Sequence, residues 1–192
     1  MVTEKPPIIV GMSGASGAPI ALRVLQALHD AHVAVSLVVS EGARAVLRAE
    51  TDLDEEALRA WATHVYSDRD LAAPIASGSV PTRGMVVVPC SSNTVAKIAL
   101  GLGDTLLTRA AAVHLKERRR LIVVPRETPL STTLLRHLTT LSELGAVVLV
   151  ASPAYYLRPK SVEETTDYLA GKVLDHLGVA HQLYRGWKAG TT

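Results

Sequence analysis

The segment Gly11-Met12-Ser13-Gly14-Ala15-Ser16-Gly17 has the residue types needed to hold an anion on main-chain donors. It follows the apolar run Ile8-Ile9-Val10 and precedes an amphipathic run from Pro19 to Leu28, an order that reads strand, glycine loop, helix. Glycine lets the backbone turn tightly and approach a ligand closely. The free N–H groups that open the helix then face the anion, and the helix dipole favours negative charge there. A phosphate-bearing ligand is implied. The spacing is G-x-x-G-x-x-G with a serine inside it, not the G-x-G-x-x-G of dinucleotide sites. An NAD-linked reductase is therefore the poorest fit, with Glu41 at the end of the second apolar run its only support.

Four more polar segments each follow an apolar run: Ser40-Glu41-Gly42, Pro89-Cys90-Ser91-Ser92-Asn93-Thr94, Pro125-Arg126-Glu127-Thr128-Pro129 and Ser152-Pro153-Ala154-Tyr155-Tyr156-Leu157-Arg158-Pro159. In an open α/β sheet, ligands bind outside the carboxyl ends of the strands. Five such loops on one edge make a continuous site rich in hydroxyls and backbone donors. Arg109 and Lys116 are seven residues apart on a predicted helix over 106–117, so they share a face about 10 Å apart along the axis. That face either holds a phosphate or is simply solvated. Arg118, Arg119 and Arg120 are better read as cations complementing the dipole at the helix C-terminus. Glu50 stands where a helix over 42–49 should end, and a carboxylate there opposes the dipole. It is either an exposed residue at a frayed end or a proton carrier aimed into the crevice.

Cys90, the only cysteine, reads as a small buried hydrophobe with no histidine near it in sequence to activate it. Histidines 29, 32, 64, 114, 137, 176 and 181 form neither H-x-x-x-H nor H-E-x-x-H, so no metal site is expected. Trp61 and Trp187 are read as packing residues.

The elements that must position these residues alternate along the chain. Apolar runs of strand length fall at 8–11, 33–39, 85–88, 121–124 and 146–150. They are near-continuous, as strands covered on both faces should be. Helical patterns lie between them at 19–28, 42–49, 55–62, 93–99, 106–117, 132–144 and 162–177. Asp52 with Glu55, and Ser161 with Glu164, fit capping boxes, and Ser131 fits an N-cap. The alternation implies right-handed crossovers and a single-domain α/β fold with a doubly wound parallel sheet spanning 1–192. Residues from about 180 to 192 lack periodicity and read as a tail, or as an arm that packs on a neighbour.

Composition bounds the rest. The chain has 192 residues, 48% of them hydrophobic, and no Phe, so the core must be Leu, Val, Ala and Ile. A formal net charge of +2 gives no reason to invoke nucleic acid. A single cysteine suits a reducing compartment, no apolar run approaches the ~18 residues of a membrane span, and Met1 to Pro7 has no signal-peptide core. A cytoplasmic protein is expected, with no membrane partner.

The order of these segments resembles the UbiX-type flavin prenyltransferases, which are related to the flavin-dependent cysteine decarboxylases. The resemblance rests on Gly11–Gly17, Ala49-Glu50-Thr51-Asp52, Ala76-Ser77-Gly78-Ser79, Gly84-Met85 and Pro89-Cys90-Ser91. It continues through Arg109-Ala110-Ala111, Leu115-Lys116-Glu117-Arg118-Arg119, Val124–Pro129, Leu144-Gly145-Ala146-Val147 and Pro153-Ala154-Tyr155-Tyr156. It implies a Rossmann-like, flavoprotein-type fold. It also implies an enzyme that joins the dimethylallyl group of dimethylallyl phosphate to N5 and C6 of reduced FMN, without a metal. The prenylated FMN would serve a UbiD-type decarboxylase. By the same resemblance, Gly14, Ala15, Ser16, Ser40, Ser91, Ser92, Asn93, Thr94 and Arg126 contact FMN. Tyr156 and Lys172 bind the allylic phosphate, helped by Arg109, Lys116 and Glu127. Ser16 and Glu50 lie beside the reacting ring, so Ser16, Glu50, Lys116 and Glu127 are the catalytic candidates. The family assembles as homo-oligomeric dodecamers with sites at subunit contacts. Lys172 stands where members often carry arginine, which keeps the charge but not the bidentate geometry. The Ser91-Ser92-Asn93-Thr94 segment leans toward the cysteine decarboxylases, but the 76–81 region lacks the histidine those enzymes use. A cysteine-type decarboxylase and a non-catalytic FMN carrier are the alternatives.

Overall fold

The computed structural model describes residues 5–186. The chain runs β1 (Ile8–Met12), α1 (Ala18–Asp30), β2 (Val35–Val39), α2 (Glu41–Glu50), α3 (Glu55–Leu58), β3 (His64–Ser67), β4 (Gly84–Cys90), α4 (Ser92–Ala99), α5 (Leu106–Lys116), β5 (Leu121–Pro125), α6 (Thr132–Glu143), β6 (Val147–Val148) and α7 (Val162–Leu177). The six strands form one sheet in the order β3-β2-β1-β4-β5-β6, and every pairing is parallel. This is the doubly wound α/β arrangement that the alternation implied. The order reverses between β1 and β4, so a crevice opens above their carboxyl ends.

Side chains alternate across the sheet. Ile8, Val10, Met12, Leu37, Val86, Val124 and their neighbours face a core built with α1, α2 and α7. Ile9, Val38, Met85, Val87, Val123 and their neighbours face a second core built with α4, α5, α6 and the 3-10 turn Pro74–Ala76. Both sets are apolar because both faces are covered, which is why the strands read as unbroken apolar runs. The sheet therefore separates α7 from α5, a fact that bears on the site.

Several boundaries differ from the sequence reading, each for a physical reason. β3 was not expected: it is an edge strand, only half-buried, and His64-Val65-Tyr66-Ser67 carries no continuous apolar signal. The helix expected over 55–62 is α only to Leu58, and Arg59–Trp61 is 3-10. Its N-cap is Asp54, whose carboxylate accepts from the Ala57 N–H at 3.0 Å; Asp52 does not cap it. The strand expected over 146–150 pairs only at Val147 and Val148. Ser131 and Ser161 cap α6 and α7 as expected, but Glu164 accepts from the Lys160 N–H rather than closing a box on Ser161.

Of the segment read as a tail or arm, residues 187–192 lie outside the described residues, as does Trp187. Residues 181–186 return onto α7, where Leu183 packs on the core. Arg119 also corrects its sequence reading. Its guanidinium donates to the carbonyls of Gly78 (2.5 Å) and Val80 (2.7 Å), so it braces the 76–80 segment instead of only complementing a dipole.

Candidate functional site: a groove at the strand reversal

Ser13 sets the geometry at the switch point, and sequence reasoning passed over it. Its side chain is buried, donates to the Pro89 carbonyl at 3.0 Å and accepts from the Ser91 N–H at 2.7 Å. The loop after β1 is thereby joined to the loop after β4. On the other side, Gly14 meets Gly42: a Cβ built on Gly14 would lie 3.0 Å from the Gly42 Cα. Only paired glycines let the loop after β1 and the first turn of α2 come this close.

A cavity of about 420 Å³ opens between these loops, and Gly14, Ser40, Ser91, Asn93 and Thr94 line it together. Five expected cofactor contacts are thus brought into one place. Two helices open on it. Ser40 caps α2 by accepting from the Ala43 N–H (3.2 Å), and Ser91 caps α4 by accepting from the Thr94 N–H (3.3 Å). Among the described residues, the first-turn N–H groups of Glu41, Gly42, Ser92 and Asn93 have no hydrogen-bond acceptor. α5 differs, because Asp68 fills its start: the Asp68 carbonyl and carboxylate accept from the N–H groups of Leu106 (2.8 Å) and Leu107 (2.9 Å). Two open helix N-termini with clustered hydroxyls suit a phosphate-bearing nucleotide such as FMN. Lys97, paired with Asp104 at 2.6 Å, and Thr105 and Thr108 also line the cavity and were missed. The Thr105-x-x-Thr108 capping box was the available signal for the last two.

Glu50 is exposed, as one of its two sequence readings had it, but it is not idle. It ends α2, where its charge is unfavourable, but its carboxylate lies on the N-terminus of α1. There it accepts from the Gly17 and Ala18 N–H groups, both at 2.9 Å. α1 has no side-chain cap of its own: Gly17 sits at φ 120°, where only glycine is unstrained, and Pro19 brings no N–H. Glu50 supplies the missing acceptor. Burial pushes its pKa up, but hydrogen bonds from the Ser16 side chain, Gly17 and Ala18, with the nearby Arg126 charge, outweigh burial and hold it below the ordinary value. Arg126 Nε donates to the Ser16 carbonyl at 3.2 Å. Glu127 accepts from the Ser92 hydroxyl at 2.9 Å. Ala15 is buried in the same loop.

The expected phosphate-binding residues divide. Arg109 Nε donates to the Ala76 carbonyl at 3.1 Å, and Lys116 pairs with Glu117 beside Gly78, so both lie along the 76–78 segment on the α5 face. Lys172 is on α7, across the sheet, paired with Asp175 at 3.2 Å. Tyr156 is half-exposed in the 3-10 turn Tyr155–Leu157, beyond β6. One chain does not gather these four into a single pocket, because the sheet stands between α5 and α7. Cys90 is fully buried, and burial pushes its thiol far above the ordinary value, so it is inert as expected.

A parallel sheet with this strand order, and a groove at its reversal onto which two helix N-termini open, is the architecture of nucleotide-binding α/β proteins. Residues 2–175 match the family described as Flavoprotein. A flavin prenyltransferase UbiX from Thermoplasma acidophilum is 52% identical over 182 residues, covering 94% of this chain and 99% of the relative. The crystal structure of AnUbiX (PadA1) in complex with FMN and dimethylallyl pyrophosphate superposes with a TM-score of 0.94 at 41% identity, covering 96% of this chain and 98% of that one. A dodecameric FMN-dependent UbiX-like decarboxylase from Escherichia coli O157:H7 gives a TM-score of 0.93 at 41% identity, covering 95% and 100%. The chain belongs to the Flavoprotein family and, within it, to the UbiX flavin prenyltransferases.

Proposed function

We propose that this prenyltransferase transfers the dimethylallyl group of dimethylallyl phosphate to N5 and C6 of reduced FMN, and that a UbiD-type decarboxylase receives the product. The observation that carries the reading is the groove: Gly14, Ser40, Ser91, Asn93 and Thr94 converge under two open helix N-termini, while Ser16, Glu50 and Arg126 are tied together at the start of α1. The name of the relative and the two ligands in the superposable crystal structure support it. Arg126 and the first turns of α2 and α4 hold the flavin nucleotide. When bound, the reduced flavin supplies the nucleophilic ring atoms.

Inorganic phosphate must leave from the allylic ester, and protein cations stabilise its charge at about 1.5–3 kcal/mol per charge-assisted hydrogen bond. Arg109, Lys116, Lys172 and the Tyr156 hydroxyl supply those donors. Because α5 and α7 lie on opposite faces of the sheet, the donors converge only when neighbouring subunits bring complementary faces together, which suits a dodecamer. Ring closure releases a proton, and the ionised Glu50 carboxylate and the departing phosphate are the two acceptors in reach of the scheme. Glu127 holds Ser92, whose neighbours Ser91 and Asn93 line the groove. The reading places the enzyme in the cytoplasm, in keeping with its single buried cysteine.

The test is an anaerobic mixture of the protein, reduced FMN and dimethylallyl phosphate, with the flavin weighed afterwards. A flavin heavier by one dimethylallyl group is expected. Unchanged flavin from folded, FMN-loaded protein refutes the reading, and a parallel arm with the diphosphate ester decides the donor.

A further inference from the structure

Lys172 does not stand alone on α7. Its ammonium pairs with Asp175 Oδ2 at 3.2 Å and lies 5.9 Å from the centre of the Tyr184 ring. The Tyr184 hydroxyl donates to the same Asp175 oxygen, and His181 Nε2 sits 3.0 Å from Oδ1. The His181 tautomer follows from its other nitrogen. Nδ1 accepts from the Leu183 N–H at 3.1 Å, so Nε2 carries the proton and donates to Asp175. One carboxylate thus binds three donors, two of them from the segment that returns onto α7 after its end.

The close approach of that segment is built in. Gly171 is buried, and a Cβ there would lie 2.6 Å from Tyr184 Cδ1 and 2.8 Å from His181 Cε1. No other residue lets both rings lie against the helix. Tyr184 also stacks edge-on with Tyr168, their ring centres 5.0 Å apart. With Leu183 and Tyr168 it walls a cavity of about 330 Å³ that reaches Ala154 and Leu157, the neighbours of Tyr156. The returning segment is therefore held on α7 beside Lys172 and faces a cavity that the turn carrying Tyr156 also lines.

We propose that Asp175 is a positioning residue for Lys172: clamped by His181 and Tyr184 over Gly171, its carboxylate holds the ammonium in one orientation to receive the allylic phosphate. This rests on the reading of Lys172 as a phosphate ligand. The physical reason is entropic. A lysine has several rotatable bonds, and fixing them in advance removes a cost that phosphate binding would otherwise bear. Asp175 can carry this charge beside the site because its hydrogen bonds from Tyr184, His181 and Lys172 outweigh burial and keep it ionised.

Steady-state kinetics with dimethylallyl phosphate, alongside FMN titration by flavin fluorescence, test the proposal on the full chain. Asp175→Asn and Gly171→Ala should each raise KM roughly tenfold, the scale of one lysine's rotamer freedom, with kcat within about twofold and FMN affinity unchanged. Tyr184→Phe, which keeps the ring and removes one donor, should raise KM less, and Asp175→Glu should recover part of the loss. If Asp175→Asn does not fold, Tyr184→Phe decides, and a wild-type KM in it overturns the proposal. A raised KM in Lys172→Ala with a wild-type KM in folded, FMN-loaded Asp175→Asn overturns the positioning role alone. A wild-type KM in Lys172→Ala overturns both that role and the reading of Lys172.

Discussion

Replacing Glu50 by Gln separates its part in the fold from its part in the chemistry. The variant keeps an acceptor oxygen for the Gly17 and Ala18 N–H groups but loses the negative charge at the α1 N-terminus. Because Glu50 is exposed, solvent screens that charge, and the loss should be about 0.5–1 kcal/mol, the range for surface charges at a helix end. For a chain of this length that lowers Tm by about 1–4 °C. The dependence on pH is the sharper readout. The folded protein holds the Glu50 pKa below its ordinary 4.5, so the unfolded chain binds the proton more readily. The stabilisation is then complete above that ordinary value and disappears as pH falls through the lower folded value. Wild type should melt above Glu50→Gln at pH 7, and the gap should close as pH drops below 4.5. Scanning calorimetry of both proteins measures it. Equal Tm values at neutral pH, or a gap that persists in acid, would refute the placement of the carboxylate on α1. In the prenylation assay the same variant should retain FMN and turn over far more slowly, and a wild-type rate removes Glu50 from the mechanism.

Ser91→Ala removes the α4 cap and should cost about 1 kcal/mol, read as a lower Tm, with weaker FMN binding in titration because α4 opens on the groove. Gly42→Ala sets a Cβ 3.1 Å from the Gly14 Cα, so one loop must move; FMN affinity should fall severalfold by fluorescence while the far-ultraviolet spectrum stays unchanged. Burial, with the Arg119 charge, holds His114 below its ordinary 6.5 despite its bond to the Ala110 carbonyl, so the unfolded chain takes up the proton first. Stability should therefore fall as pH drops below 6.5, and His114→Gln should flatten that slope in denaturant melts. Thr82→Val leaves His114 Nε2 without its 2.9 Å partner in a buried site and should destabilise the fold by about 1–3 kcal/mol, measured the same way.

The sequence alone determined the layers and their local stops. Strands buried on both faces write continuous apolar runs, as in Met85–Val88, and helices write a 3.6-residue period, as in α7, whose Val162–Leu177 span matches the reading residue for residue. Ser131 and Ser161 were legible as caps because a cap is a contact between residues three apart. β3 was not legible, since a half-buried edge strand leaves no such trace. Docking of the finished elements made β1 and β4 neighbours, tied their loops through Ser13, and closed α5 with Asp68 while leaving α2 and α4 open. It also decided that Glu50 caps a helix more than thirty residues before it in the chain, and that the sheet parts Arg109 and Lys116 from Lys172. The physical reason is range. Periodicity and capping record what each residue meets within a turn or a pleat, whereas strand order and long-range charge pairing depend on how finished elements dock, and docking leaves no period in the chain.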